Sequence, residues 1–360
     1  MPSSKKKVVY LLGSGATHAV VNSIDSQLGL LTRNVKDKFD EIDAARKSTI
    51  DPDIWNEAVK EVVDIEHLIS VIESDYRFYE ANSLREIYRD TITSLASKIG
   101  DLTEPNLYSI LYDLYKVSDY DEELQCFLTL NYEDILERTI KEQFGDKIDY
   151  GIQLAKSEED SSSEVGSWAR VFKLHGSFSW LNDRPVKVKE LSDIGLGKAL
   201  WIPPGVDKRR DNYPFNLLWG KALEALLSCD VLRVVGCSLS RNDWGLIPLI
   251  YTAQSFDGTD HTLSVEVIDY PSVVERMKAN YPYLVFKGPG ELDEFVSYYI
   301  DQLATTDSSA IQDELRTELE NGSINIMKFW LEMKVEQVAR RGNGALATPK
   351  GYVAKFYSKE

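Results

Sequence analysis

Sulfur is scarce in this chain, which has three cysteines and four methionines among 360 residues. Cys126, Cys229 and Cys237 each sit in an apolar stretch, and none pairs with another at Cys-x-x-Cys spacing. That excludes a disulfide framework and a tetrahedral zinc site, and no metal is expected. Long apolar runs are missing as well. Nothing approaches the ~20 residues that span a bilayer, so no membrane association is expected. The basic start, Met1 to Lys7, leads into a short apolar stretch and then a glycine turn. It therefore reads as a solvated tail before a buried strand rather than a secretory signal, and a cytoplasmic protein is expected. Positive charge is also in deficit: 41 Lys and Arg face 58 Asp and Glu, a formal net charge of −17. Such a surface repels phosphate backbones, so direct nucleic-acid binding is not expected. A small anion can still be cradled by oriented backbone amides.

What is present is ordinary for a folded chain: 43% hydrophobic and 28% charged residues, too apolar for disorder. The run Lys7–Leu12 reads as a strand buried on both faces, ending in Gly13-Ser14-Gly15-Ala16 and a helix towards Leu28. From about residue 32 to 118 the apolar spacing turns helical, over Trp55–Ile72, Leu84–Ile99 and Leu107–Tyr115. The last of these opens with Pro105 just inside its N-terminus. Strands and helices then alternate. Cys126–Leu130 feeds a helix over Tyr132–Phe144, and Ser157–Ser167 forms a polar loop. Strands follow at Val171–Leu174 and Leu200–Ile202, a helix at Pro214–Ser228, and a strand at Val231–Val235. Leu263–Ile268, a helix from Pro271 to about Ala279, Leu284–Phe286 and a helix over Glu291–Leu303 complete the alternation.

This order predicts an α/β fold: a Rossmann-like, doubly wound, mostly parallel sheet with a helical insertion and a C-terminal helical arm. Residues 1–306 form the nucleotide-binding domain, with the insertion at about 32–118. Residues 307–360 form the arm and tail, a segment suited to assembly.

Candidate chemical residues cluster at strand ends, where such folds bind ligands. Gly13-x-Gly15 before a helix suits a pyrophosphate, or is simply a tight turn, and His18 replaces the third glycine of the full fingerprint. Asn131, in Thr129-Leu130-Asn131-Tyr132-Glu133-Asp134, can bind a ribose hydroxyl or orient water, or it caps a helix, for which asparagine is a leading choice. His175, in Lys173-Leu174-His175-Gly176-Ser177, is placed for general-base work, and Gly176 for close ligand approach. His67 and His261 read as structural, and His18 as a distant second candidate. In Gly236-Cys237-Ser238 the serine can donate to a phosphate, or the segment is a loop capped at Asp243. Asp269 can accept from adenosine ribose, or form the turn before Pro271.

In order, these motifs resemble the sirtuin-like (silent information regulator two-like) domain. Gly13–Ala16, Thr129–Glu133, Lys173–Gly176 and Gly236–Ser238 are similar to its four motifs, over roughly residues 7 to 300. The wording around Asn131-Tyr132 and Lys173–Ser177 is nearest the bacterial branch used in antiphage defence. The resemblance implies an NAD+ glycohydrolase that releases nicotinamide and ADP-ribose, with NAD as substrate and Asn131 and His175 catalytic. It assigns Gly13, Ser14, Gly15, Ala16, Thr129, Glu133, Gly176, Gly236 and Ser238 to the nucleotide, and Asp269 joins them from its place at a strand end.

The four-cysteine ribbon and the Pro-Asp-Phe-Arg run of deacylating sirtuins are lacking, which disfavours deacylation. Glu133 stands where the family usually has aspartate. An unrestrained NAD+ hydrolase would poison its host, so activation by assembly is expected. The expected partners are a homo-oligomer or a HerA-type ATPase, with a short Argonaute less favoured. Two other classes stay open: a non-catalytic NAD or ADP-ribose sensor, and a structural subunit of a nucleic-acid-processing ATPase complex.

Overall fold

The computed structural model describes residues 5–24, 51–53, 65–116, 120–155, 167–191, 198–205, 208–240, 243, 245–256, 263–303, 308–320 and 325–341. In chain order the elements are β1 Lys6–Leu12, α1 Ser14–Ile24, α2 Ile65–Ser74, α3 Phe78–Lys98, α4 Leu107–Leu114, β2 Glu122–Thr129 and α5 Ile135–Phe144. Then come β3 Lys147–Asp149, β4 Trp168–Lys173, β5 Gly176–Leu181, β6 Lys187–Val188, β7 Ala199–Trp201 and α6 Phe215–Ser228. The remainder is β8 Val231–Val235, α7 Leu246–Gln254, β9 Ser264–Ile268, α8 Pro271–Asn280, a 3₁₀ turn Pro289–Glu291, α9 Asp293–Leu303, α10 Ser308–Glu320 and α11 Ile326–Arg341.

A six-stranded sheet has the order β3-β4-β2-β1-β8-β9, with β1–β8, β8–β9 and β3–β4 parallel. This is the α/β architecture that the alternation of strands and helices predicts. A second sheet departs from expectation. It is three-stranded, of order β6-β5-β7, and antiparallel. The segment after His175, to which the sequence assigns no element, is a strand, and the predicted strand at Leu200–Ile202 joins this small sheet as β7. Antiparallel pairing needs no helical crossover, so strand–helix alternation carries no signal for it.

Several boundaries move for local reasons. Asn106, not Pro105, opens α4: its side chain accepts from the Tyr108 and Ser109 amides, and Ser109 Oγ accepts from the Asn106 amide. This reciprocal cap needs a side-chain oxygen, which proline lacks. The segment expected as a strand at Leu284–Phe286 makes only a bridge from Lys287 to Glu266. Helix α7 had no counterpart in the sequence reading, because its apolar residues crowd together without clear periodicity. Trp55, Leu28, His261, most of the Ser157–Ser167 loop and the tail beyond Arg341 lie outside the described residues. Among the described residues no helix is long and apolar enough to cross a membrane.

The chain divides into two compact units. The first holds Met1–Ala16, Thr103–Leu128 and Ala222–Glu360; the second holds Thr17–Leu102 and Thr129–Lys221. Thus α4 goes with the first unit, and α2 and α3 with the second.

In the first unit β1, β8 and β9 run in register, Leu12 opposite Val235 and Val235 opposite Ile268. The residues that follow these strands are Gly13, Gly236 and Asp269, so one carboxyl edge gathers all three. Beneath them lies a polar exception to the apolar core. Arg233, in the middle of β8, is fully buried and pairs with Glu122 and with Glu266 at 2.9 Å. The Trp330 ring of α11 lies 5.4 Å from its guanidinium, and Lys334 of the same helix pairs with Glu294 at 2.9 Å. The C-terminal helix is thereby tied into this unit by both packing and charge. In the second unit, buried Lys173 of β4 pairs with Glu137 of α5 at 2.8 Å.

Candidate functional site

At the carboxyl edge of the first unit the two glycine turns interlock. The Gly13 amide donates to Val235 O at 3.1 Å, Gly15 N to Gly236 O at 2.9 Å, and Ala16 N to Gly13 O at 3.0 Å. A Cβ on Gly13 would lie 2.5 Å from Gly236 O, and one on Gly236 would lie 2.2 Å from Ala16 N. Gly236 also has φ +57°, where only glycine is unstrained. The chain itself therefore demands these glycines, and three amides of the turn are already used within the protein. What the turn still offers an anion is the N-terminal field of α1 and the half-buried Ser14 that opens it.

Beside this turn, Ser238 is exposed and follows a buried Cys237 whose thiol burial pushes up to about 12. Such a thiol is not a nucleophile at neutral pH. Asp269 is buried, which raises its carboxyl above the usual range, and its Oδ1 accepts from the next amide, Tyr270 N, at 2.8 Å. Asp243 does not cap a helix: α7 starts at Leu246 behind Gly245. Arg241, Asn242 and Trp244 lie outside the described residues.

The second unit carries Thr129, Asn131, Glu133, His175 and Gly176. Strand β2 ends at Thr129, and α5 starts only at Ile135, with Asp134 at the cap position and no side-chain capping bond. Asn131 is thus not a helix cap. Its backbone amide donates to Thr129 Oγ1 at 3.0 Å, and its Nδ2 to Thr17 Oγ1 at 2.8 Å. Thr17 Oγ1 in turn donates to Glu133 Oε1 at 2.7 Å, while Glu133 Oε2 accepts from Ile135 N at 3.1 Å. Glu133 is buried, which raises its carboxyl, while Lys173 and the Thr17 hydroxyl pull the other way. Lys173 Nζ also donates to the Glu133 carbonyl at 2.5 Å. Asp134 next door is raised further, to about 7, by burial and by Glu137.

His175 follows β4 directly and is buried, with its carbonyl accepting from Ile202 N at 2.8 Å. Its ring has two aromatic neighbours, Tyr132 at 6.1 Å and Trp219 at 6.3 Å between centroids. Both are anchored: Tyr132 hydroxyl donates to Ile202 O at 3.0 Å, and Trp219 Nε1 donates to Leu174 O at 3.0 Å. Neighbours held in place in this way limit the freedom of the imidazole, as general-base work requires. Gly176 has φ +76°, and a Cβ there would lie 2.4 Å from Leu200 O. Its glycine requirement comes from strand β7. His67 is exposed on α2, and His18 is half-buried on α1.

Thr17, Tyr132 and Trp219 were not singled out from sequence. Only Thr17 left a trace there. It shares the buried face of α1 with Val20 and Val21, and a hydroxyl at that spacing asks for a buried partner.

Residues 125–279 match the model of the SIR2-like domain, a span that contains both Asn131 and His175. No curated protein matches the sequence. Among solved structures, a Sir2 homologue in complex with NAD shares 14% identity over 88% of this chain and 91% of that one, with TM-score 0.35. A Sir2 mutant in complex with 2′-O-acetyl ADP-ribose shares 14% over 89% and 95%, with TM-score 0.38.

Proposed function

We propose that the chain is an NAD+ glycohydrolase. The observation that carries the reading is the state of Asn131: a polar residue at a strand end, off the following helix, gripped by two threonines. Its companion in the same unit is His175, buried beside two anchored rings. Both lie within the SIR2-like match.

In NAD+ the nicotinamide is a cationic leaving group, so the C1′–N bond breaks through an oxocarbenium-like transition state with little acid catalysis. Asn131 orients a ribose hydroxyl or the attacking water, and His175 accepts the proton that water loses as the new C1′–O bond forms. NAD+ and water give ADP-ribose, nicotinamide and one proton. The N-terminal field of α1 favours a phosphate, although two of its first-turn amides, Gly15 and Ala16, are already bonded to carbonyls of the chain. The same reading supports an NAD-depleting effector role in antiphage defence, with activity gated by assembly.

The test is nicotinamide release from NAD+ by the purified chain beside Asn131→Ala and His175→Ala. Release by wild type and loss in both variants supports hydrolysis. Nucleotide binding by a thermal shift without release, alone and with candidate partners, replaces hydrolysis by sensing.

A further inference from the structure

We infer that Thr17 and Glu133 are positioning residues that set which way the Asn131 side-chain amide points. The inference rests on the proposed role of Asn131 and deepens it. An asparagine amide has a donor edge and an acceptor edge of nearly the same shape, so sterics alone do not choose between the two flips. The choice must come from a hydrogen-bond partner with a defined direction.

Thr17 supplies that direction only because Glu133 stands behind it. A hydroxyl has a single proton and can donate or accept towards Asn131. Here the proton goes to Glu133 Oε1 at 2.7 Å, which leaves the lone pairs of Oγ1 to face Asn131. They accept from Nδ2 at 2.8 Å. As a carboxylate Glu133 accepts at both oxygens, and its other oxygen takes the Ile135 amide at 3.1 Å. The relay thus runs one way, from Asn131 through Thr17 to Glu133, and is buried at its carboxylate end. With the donor edge turned to Thr17, the acceptor edge of Asn131 is directed away from it. An acceptor is what a ribose hydroxyl or an attacking water needs.

The length of Glu133 matters in this relay. Its side chain reaches back to Thr17 while also bonding the amide two residues ahead, a span that an aspartate is one methylene shorter to cover. The residue that departs from the family's usual acid therefore acts inside the protein, on the orientation of its neighbour.

The experiment uses the full chain with asparagine labelled at Nδ2. The Asn131 side-chain NH2 resonance is assigned by its loss in Asn131→Ala. In Thr17→Val, which keeps the shape and removes the hydroxyl, that resonance is expected to move. In Thr17→Ser it is expected to return to the wild-type position. Glu133→Gln offers Thr17 a donor in place of an acceptor, reverses the relay, and is expected to move the resonance as well.

Nicotinamide release is read in parallel. Thr17→Val is expected to lower kcat about tenfold with KM within about twofold, the pattern of lost orientation rather than lost binding. Thr17→Ser is expected to restore kcat. A resonance indifferent to both Thr17→Val and Glu133→Gln overturns the relay, whatever the activity. A wild-type chain that releases no nicotinamide overturns the proposed hydrolysis, and the resonance still decides the relay.

Discussion

Glu122 holds Arg233 at two points inside the first unit, Oε2 to Nη1 at 2.5 Å and Oε1 to Nη2 at 2.6 Å. Burial alone would raise the Glu122 carboxyl, but the guanidinium wins and brings it down to about 2. Glu122→Gln takes away one of the two carboxylates that hold the buried Arg233 and leaves Glu266 at 2.9 Å. It is therefore expected to destabilise the chain in urea unfolding by less than the about 3–5 kcal/mol of a fully unpaired buried charge. Because the folded value lies below the ordinary 4.5, this stability is complete above that pH and is lost as pH falls towards about 2. An acid titration of the unfolding midpoint checks it: the slope between those limits should flatten in the variant.

Asp134 behaves in the opposite sense. It is buried, its Oδ1 has no hydrogen-bond partner among the described residues, and its carboxyl is raised from 3.8 to about 7. An acid raised on folding costs stability as pH climbs through that window, by at most about 4 kcal/mol when fully ionised. Asp134→Asn is expected to stabilise the chain above pH 7 and to make little difference near pH 4. Thermal melts at the two pH values test this, and an equal shift at both would refute it.

Two glycines make a matched pair. Gly236 carries φ +57° with Ala16 N in the place of a side chain, whereas an added Cβ on Gly220, exposed on α6, meets nothing within 4 Å. Gly236→Ala is expected to cost more than about 2 kcal/mol, from strain and overlap together. Gly220→Ala is expected to stabilise by about 0.5–1 kcal/mol through the lost helix penalty. Chemical denaturation of both variants decides it, since equal effects would mean that the interlocked turns are not the constraint.

Trp219 braces His175 through the carbonyl just before it. Trp219→Phe keeps a ring beside the imidazole but deprives Leu174 O of its 3.0 Å bond. A buried group left unsatisfied costs about 1–3 kcal/mol. Nicotinamide release is expected to fall severalfold in kcat with KM little changed. An unaltered kcat with lower stability would assign Trp219 to packing alone.

The parallel strands β1, β2, β4, β8 and β9 were legible from residue patterning. Buried parallel strands read as continuous apolar runs, and each is punctuated by glycine, asparagine, histidine or aspartate, as at Gly13, Asn131, His175, Gly236 and Asp269. Such patterns are local, so one chain position suffices to see them. Arg233 marks the limit of that reading: within an apolar strand it looks like an interruption, and only Glu122 and Glu266 from other strands make it a core residue.

The roles of the glycines and of Glu133 were decided by tertiary structure. Gly13 and Gly236 read singly as room for a phosphate, yet Gly236 O fills the space a side chain on Gly13 would need, and Gly15 and Ala16 N fill the space one on Gly236 would need. Glu133 read as a ligand contact, yet its carboxylate is met by Thr17, 116 residues away in the chain. From sequence, Asn131 could also cap a helix, for which asparagine is a leading choice. The fold starts α5 at Ile135, with Asp134 at the cap position, and gives the Asn131 side chain Thr17 as a partner. Hydrogen-bond direction depends on what lies across space, and a linear pattern holds no record of that.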